Sequence, residues 1–167
     1  MIVMMAGLPG TGKSALARTL AEQTSGVVLD KDEIRRALFP AADIEYSTEQ
    51  DDFCMGVMLE TTAYIVGKNR ARYVFLDGRP FSRRYQIERV IEHARQLGQD
   101  WRIVECVCPE DTARRRIEGQ DHVAGNRDFA LYLRVKARFE EIPLPKIVVD
   151  TERPLERCVE RAMRFLG

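Results

Sequence analysis

Near the N-terminus an apolar run, Ile2–Ala6, leads directly into Gly7-Leu8-Pro9-Gly10-Thr11-Gly12-Lys13-Ser14. These eight residues satisfy G-x-x-x-x-G-K-[ST] at every position. The pattern narrows the fold sharply, because such a loop works only between a buried strand and the N-terminus of a helix. Its glycines let the backbone curl so that successive N–H groups face phosphate oxygens. The helix N-terminus adds partial positive charge. Lys13 then acts as a point charge on the outer phosphates, and the Ser14 hydroxyl is suited to ligate magnesium. The expected nucleotide-binding residues of this stretch are Gly10, Thr11, Gly12, Lys13, Ser14 and Ala15. The pattern specifies a nucleoside triphosphate without naming its base. No guanine-reading Asn-Lys-x-Asp is present, which speaks against a GTPase.

Four further β-like runs follow, at Val27–Asp30, 73–77, 102–107 and Ile147–Asp150, and three of the five runs end in Asp. Most are nearly continuous apolar stretches, as expected of strands covered on both faces. Helix-like stripes lie between them. Leu16 and Leu20 share one face, and Cys54, Met58, Thr61 and Ile65 are helically spaced after a Ser47-Thr48 cap. A third stripe from Ile87 to Leu97 stops at Gly98, and a last one follows Pro154. This alternation predicts an α/β, three-layer fold with a parallel sheet between helices, and ligands at the carboxyl ends of the strands. At 167 residues the chain reads as one domain, residues 1–167. The polar stretch at about 118–128 holds Gly119 and Gly125 and suits a small lid.

Composition narrows the partners. Lys plus Arg and Asp plus Glu are both 26, so the net charge is zero. That disfavours nucleic acid as the main partner, and an anionic membrane equally, without excluding a local basic groove. The N-terminal apolar run is too short for a signal peptide or a span. Cys54, Cys106, Cys108 and Cys158 include one close pair and no second to complete a zinc cage, so they read as reduced thiols of a cytoplasmic protein. The oligomeric state is not legible.

The second run leads into Asp30-Lys31-Asp32-Glu33-Ile34-Arg35. Asp32 begins a helix and shares a face with Arg35 at i, i+3. Phosphoryl transfer to an alcohol needs a carboxylate to accept the hydroxyl proton, and gains from an arginine near the transferred group or an anionic acceptor. The bland alternative is a helix cap paired with a surface arginine. Asp77 ends the third run before Gly78 and, with Asp30, is a candidate holder of magnesium. Arg79, Arg83 and Arg84 either face the acceptor or form a solvated cluster. Arg114, Arg115, Arg116 and Arg127 are candidates for charge stabilisation or for stacking on the base. His93 reads as structural, and His122 has no assignable role.

These segments, together with Cys108-Pro109-Glu110, Phe139-Glu140 and Val148-Val149-Asp150-Thr151, resemble the small P-loop kinases of the AAA_33 or zeta-toxin-like group. Relatives of that group include polynucleotide, gluconate and shikimate kinases and chloramphenicol phosphotransferase. The resemblance implies an adenylate-kinase-like P-loop NTPase fold with a five-stranded sheet in the order 2-3-1-4-5. It implies ATP and Mg2+, with Asp32 as catalytic base, Lys13 and Arg127 as catalytic cations, and Arg35 toward the acceptor. Arg116 would lie beside the adenine, and the 151–154 loop, beginning at Thr151, would line its pocket. Many relatives carry a second lid arginine where this chain has Gln120, and Arg127 is the candidate substitute. The leading expectation is an ATP-dependent kinase acting on a hydroxyl of a small metabolite or antibiotic. The alternatives are a polynucleotide 5′-hydroxyl kinase and a nucleotide-dependent switch or toxin-like module without a metabolite acceptor.

Overall fold

The computed structural model describes residues 1–119 and 128–167. Five strands, β1 (Ile2–Ala6), β2 (Val27–Asp30), β3 (Val74–Asp77), β4 (Trp101–Val107) and β5 (Ile147–Asp150), form one parallel sheet in the order β2-β3-β1-β4-β5. The described helices are α1 (Lys13–Thr24), α2 (Lys31–Leu38), α3 (Thr48–Gly67), α4 (Arg84–Gln96), α5 (Glu110–Glu118), α6 (Phe129–Ala137) and α7 (Leu155–Leu166), with a short 3₁₀ turn at Ala41–Asp43. None of the described helices is long and apolar enough to cross a membrane.

The central strand shows why the runs are apolar throughout. All five residues of β1 are fully buried, and their side chains alternate between two cores. Ile2, Met4 and Ala6 pack with Met58, Leu76, Ile87 and Val90 on the α3–α4 side. Val3 and Met5 pack with Leu16, Leu20, Val159 and Ala162 on the α1–α7 side. The edge strands depart from the two-sided pattern. Val148 of β5 is 39% exposed, and the first three residues of β2 are half-buried, because an edge strand has a neighbour on one side only.

Helix boundaries follow local chemistry. Ser47 caps α3 by accepting from the Gln50 N–H at 3.1 Å. Asp30, rather than Asp32, caps α2, since its Oδ1 accepts from the N–H groups of Asp32 and Glu33 at 2.8 and 3.3 Å. The capping alternative for Asp32 is thereby removed, and its carboxylate stands in the first helical turn instead. In this sheet order β1 and β3 lie side by side between β2 and β4, so the loops after β1, β2 and β3 gather at the carboxyl edge.

Candidate active site

The first loop is held from both sides. Gly7 donates its N–H to Pro80 O at 3.0 Å, and Thr11 Oγ1 donates to Leu8 O at 2.7 Å. Gly7 has φ of 129°, and a Cβ there would lie 2.3 Å from Cys106 O, so no other residue fits against β4. Lys13 is buried, and its Nζ donates to Gly7 O and Leu8 O at 2.9 and 2.8 Å. Ser14 is half-buried and lines the cleft beside Lys13, whereas Ala15 turns outward. The N-cap of α1 is Gly12, which offers no side chain to the first N–H groups of the helix, so these groups could meet an anion.

Below this loop Asp30 and Asp77 are register partners at the ends of β2 and β3. Asp77 is 1% exposed, and neither carboxylate oxygen has a hydrogen-bond partner among the described residues. Burial, and next the charge of Asp77, push the Asp30 carboxyl up to about 6. Gly78 keeps the two strand ends close. Its φ is 80°, and a Cβ would stand 2.7 Å from both Asp30 Oδ1 and the Lys31 nitrogen. Two buried carboxylates, one with both oxygens unsatisfied, make a donor set for a hard cation. Among the described residues no group of three or more His, Cys, Asp or Glu surrounds one point. The pair therefore suits an ion such as magnesium that also takes oxygens from Ser14, water and phosphate.

The same cleft continues over α2 and α3. Asp32 Oδ1 accepts from Arg35 Nη1 at 2.6 Å and lies 3.3 Å from Lys31 Nζ. Asp51 Oδ1 accepts from Lys31 Nζ at 2.5 Å and also from Arg35 Nη2. Arg35 is 1% exposed, and its guanidinium carbon lies 5.0 Å from the centroid of the Tyr46 ring. Arg79, equally buried, lies 2.7 Å from Asp52 Oδ1, close enough for an ion pair though not aligned as a hydrogen bond. Its Nη2 also donates to Tyr85 OH at 3.2 Å. The arginine cluster after Asp77 is thereby divided. Arg79 lines the cleft, while Arg83 pairs with Glu140 and Arg84 with Glu88 on the exposed side.

Arg116 belongs to a different part of the loop. It donates to Thr151 Oγ1 and Thr151 O at 3.0 and 2.7 Å, and Thr151 Oγ1 donates to Thr11 O at 2.9 Å. A Cβ on Gly12 would meet both side chains at about 3.5 Å, so α5 and the loop after β5 flank the phosphate loop from the far side. Arg114 lies over the Phe129 ring at 4.1 Å, and Arg115 donates to Thr112. His93 contacts Leu59 O at 2.9 Å between α4 and α3, a structural position. Cys54, Cys106, Cys108 and Cys158 are free, and burial pushes the Cys106 thiol up to about 12. Arg127, Gln120, His122 and most of the expected lid at 118–128 lie outside the described residues.

The AAA_33 family, described as an AAA domain, matches residues 2–142. The chain belongs to the AAA_33 family. Among solved structures, a sugar kinase from Janibacter sp. HTCC2649 is similar at a TM-score of 0.74 and 18% identity, over 99% of the AAA_33 chain and 93% of its own. A gluconokinase from Sinorhizobium meliloti 1021 is similar at 0.70 and 17%, over 98% and 89%. The Mycobacterium tuberculosis APS kinase CysC, in complex with AMPPNP and APS, is similar at 0.68 and 19%, over 99% and 96%. At these identities the likeness is one of fold. No curated protein matches the AAA_33 chain.

Lys31, Leu131 and Val135 line the cleft of this AAA_33 protein without having been marked as site residues by the sequence. Neither the cation partners nor the roles of Asp51 and Asp52 are legible in the sequence. A lone lysine between two aspartates or two aspartates at a helix start carries no chemical signature. Phe81, in the loop after Arg79, is fully buried in the α3–α4 core.

Proposed function

We propose that this protein is an ATP-dependent phosphotransferase that moves the γ-phosphoryl group to a hydroxyl of a small molecule. The observation that carries the reading is that Asp32, with its side chain 12% exposed, lines one continuous cleft with Lys13, Ser14, Asp30 and Asp77. A phosphate-binding loop and a positioned carboxylate in one desolvated cleft are the two parts this reaction needs. The sugar kinase, gluconokinase and APS kinase among the similar structures support the reading at the level of fold.

In this mechanism the loop N–H groups, Lys13 and the start of α1 hold the triphosphate of ATP. Ser14, Asp30 and Asp77 would hold magnesium, which supplies charge neutralisation to the phosphates when bound. Arg35 and Lys31 grip Asp32 Oδ1, which fixes the carboxylate and leaves Oδ2 for the acceptor. The acceptor oxygen forms a bond to the γ-phosphorus as the bond to the bridging oxygen breaks. ADP leaves, and the hydroxyl proton passes to Asp32 and then to solvent. Arg116 and Thr151, tied to each other beside Gly12, would bound the base side of the nucleotide. The reading retains the expectation of a cytoplasmic enzyme.

Asp32→Asn tests it. Turnover should fall by ~10²-fold or more while ATP affinity, measured by calorimetry, stays near wild type. Near-normal turnover in that variant would refute the assignment of the base.

A further inference from the structure

The acceptor half of the cleft contains Lys31, Arg35 and Arg79, exposed by only 5%, 1% and 2%. Each is already neutralised from within the chain. Asp51 Oδ1 binds Lys31 and Arg35 together, and Asp32 Oδ1 takes the other amino group of Arg35. Arg79 pairs with Asp52. Three buried cations thus meet three carboxylates, two of which come from consecutive residues near the start of α3. Such pairing satisfies the electrostatics of the lobe before any acceptor enters, because a buried charge left alone would be strongly unfavourable.

We propose that this built-in neutrality selects an uncharged, hydroxyl-rich acceptor, and that Asp51 is the specificity-determining residue that enforces it. The inference rests on the phosphotransferase reading above and names the acceptor class for the same site. An anionic acceptor would bring a further negative charge beside Asp32 and the donor phosphates, where Lys31 and Arg35 already share Asp51 and Arg79 already pairs with Asp52, so that of their buried nitrogens only the Nε atoms of the two guanidiniums have no hydrogen-bond partner among the described residues. It would first have to expel Asp51 from Arg35 and Lys31 and leave that carboxylate uncompensated. A neutral polyol or sugar ring meets no such barrier. Its hydroxyls exchange hydrogen bonds with groups already polarised by ion pairs. Its C–H faces lie against Pro80, Leu131 and Val135, the apolar part of the lining. The Tyr46 ring completes that wall. Tyr46 holds a left-handed φ of 52°, a costly conformation for a bulky residue, and its ring covers Arg35.

The test compares anion binding in wild type and Asp51→Asn, each saturated with magnesium–AMPPNP so that the phosphate loop is filled. Inorganic sulfate is titrated by calorimetry. Wild type should show no saturable sulfate site, whereas Asp51→Asn should bind sulfate at least about tenfold more tightly. Equal or tighter sulfate binding by wild type would overturn the proposal. Because the variant leaves Lys31 and Arg35 with Asp32 as their one remaining carboxylate among the described residues and can lose stability, a second measurement uses wild type alone. Its kcat/KM is compared for neutral sugars and nucleosides against their carboxylate and phosphate derivatives, with a preference for the neutral member of roughly 10²-fold expected. A preference for the charged member, a 5′-hydroxyl oligonucleotide included, would also overturn it. Failure of every acceptor, neutral or charged, would instead sink the phosphotransferase reading, while the sulfate comparison would still decide the charge preference of the lobe.

Discussion

Asp30 serves two functions that pull in opposite directions. Its Oδ1 caps α2, which favours the ionised form, yet burial and Asp77 favour the protonated form and raise its carboxyl to about 6. A folded-state value above the unfolded value of 3.8 stabilises the protein fully below that lower value. The stabilisation is lost as pH rises through about 6. In chelator, wild-type stability should therefore fall by on the order of 2 kcal/mol between pH 4 and 7 from this group. Asp30→Asn keeps a capping side chain and removes the titration. Its melting temperature should exceed that of wild type above pH 6 in chelator, with the gain vanishing toward pH 4. A variant less stable than wild type at pH 7.5 would show that the cap outweighs the carboxylate repulsion. At the neighbouring turn, Gly78→Ala forces a Cβ to 2.7 Å from Asp30 Oδ1 at a φ of 80°. It should cost about 1–3 kcal/mol in urea unfolding, and a neutral result would mean the turn can relax.

At the scale of elements, α2 and α3 act as a pair. α2 is short and polar and buries only Lys31 and Arg35, the two residues that reach Asp51 of α3. Ion pairs between helices thus hold the acceptor lobe together with the apolar contacts of Ile34 and of Phe39 with Phe53. The start of α3 therefore matters twice, since its Ser47 cap fixes both the helix and the direction of Asp51. Ser47→Ala should lower the urea midpoint by the equivalent of about 1 kcal/mol with an unchanged slope. It should also raise the acceptor KM more than it lowers kcat, because Asp51 is held less firmly while Asp32 stays in place. An unchanged KM would separate the cap from the lobe.

Across the whole molecule, the crossover sheet is what makes one cleft. β1 between β3 and β4 brings the phosphate loop against Pro80 on one side and Cys106 on the other, from segments some seventy and a hundred residues distant. A ligand that bridges these loops binds the folded state only, so it must stabilise the entire domain. Magnesium–AMPPNP at a hundred times its Kd should add about 2.7 kcal/mol, roughly 5–10 °C in melting temperature for a chain of this size. Lys13→Ala should abolish most of that shift, because the side chain whose Nζ reaches Gly7 O and Leu8 O inside the loop is the charge that would meet the phosphates. A full shift in the variant would remove Lys13 from the phosphate site.

What could be read in the sequence was whatever depends on residues close together in the chain. The phosphate loop, the strand runs and the Asp32–Arg35 pair each lie within one turn or one strand, so spacing alone specifies their geometry. The central strands were also legible, because burial on both faces demands unbroken apolar residues. The family resemblance supplied the strand order that periodicity could not. Long-range packing decided the rest. Asp30 became the cap in place of Asp32 because β2 runs straight into α2 at Lys31. Arg79 turned into the cleft while Arg83 and Arg84 turned out, since the tight turn at Gly78 and the burial of Phe81 set the direction of that loop. Above all, the pairing of Asp51 with Arg35 spans 16 residues and two helices, and that of Lys31 with Asp51 spans 20. Charge on a linear chain has no partner until the backbone brings one within a few ångströms and excludes water, and only folding does both.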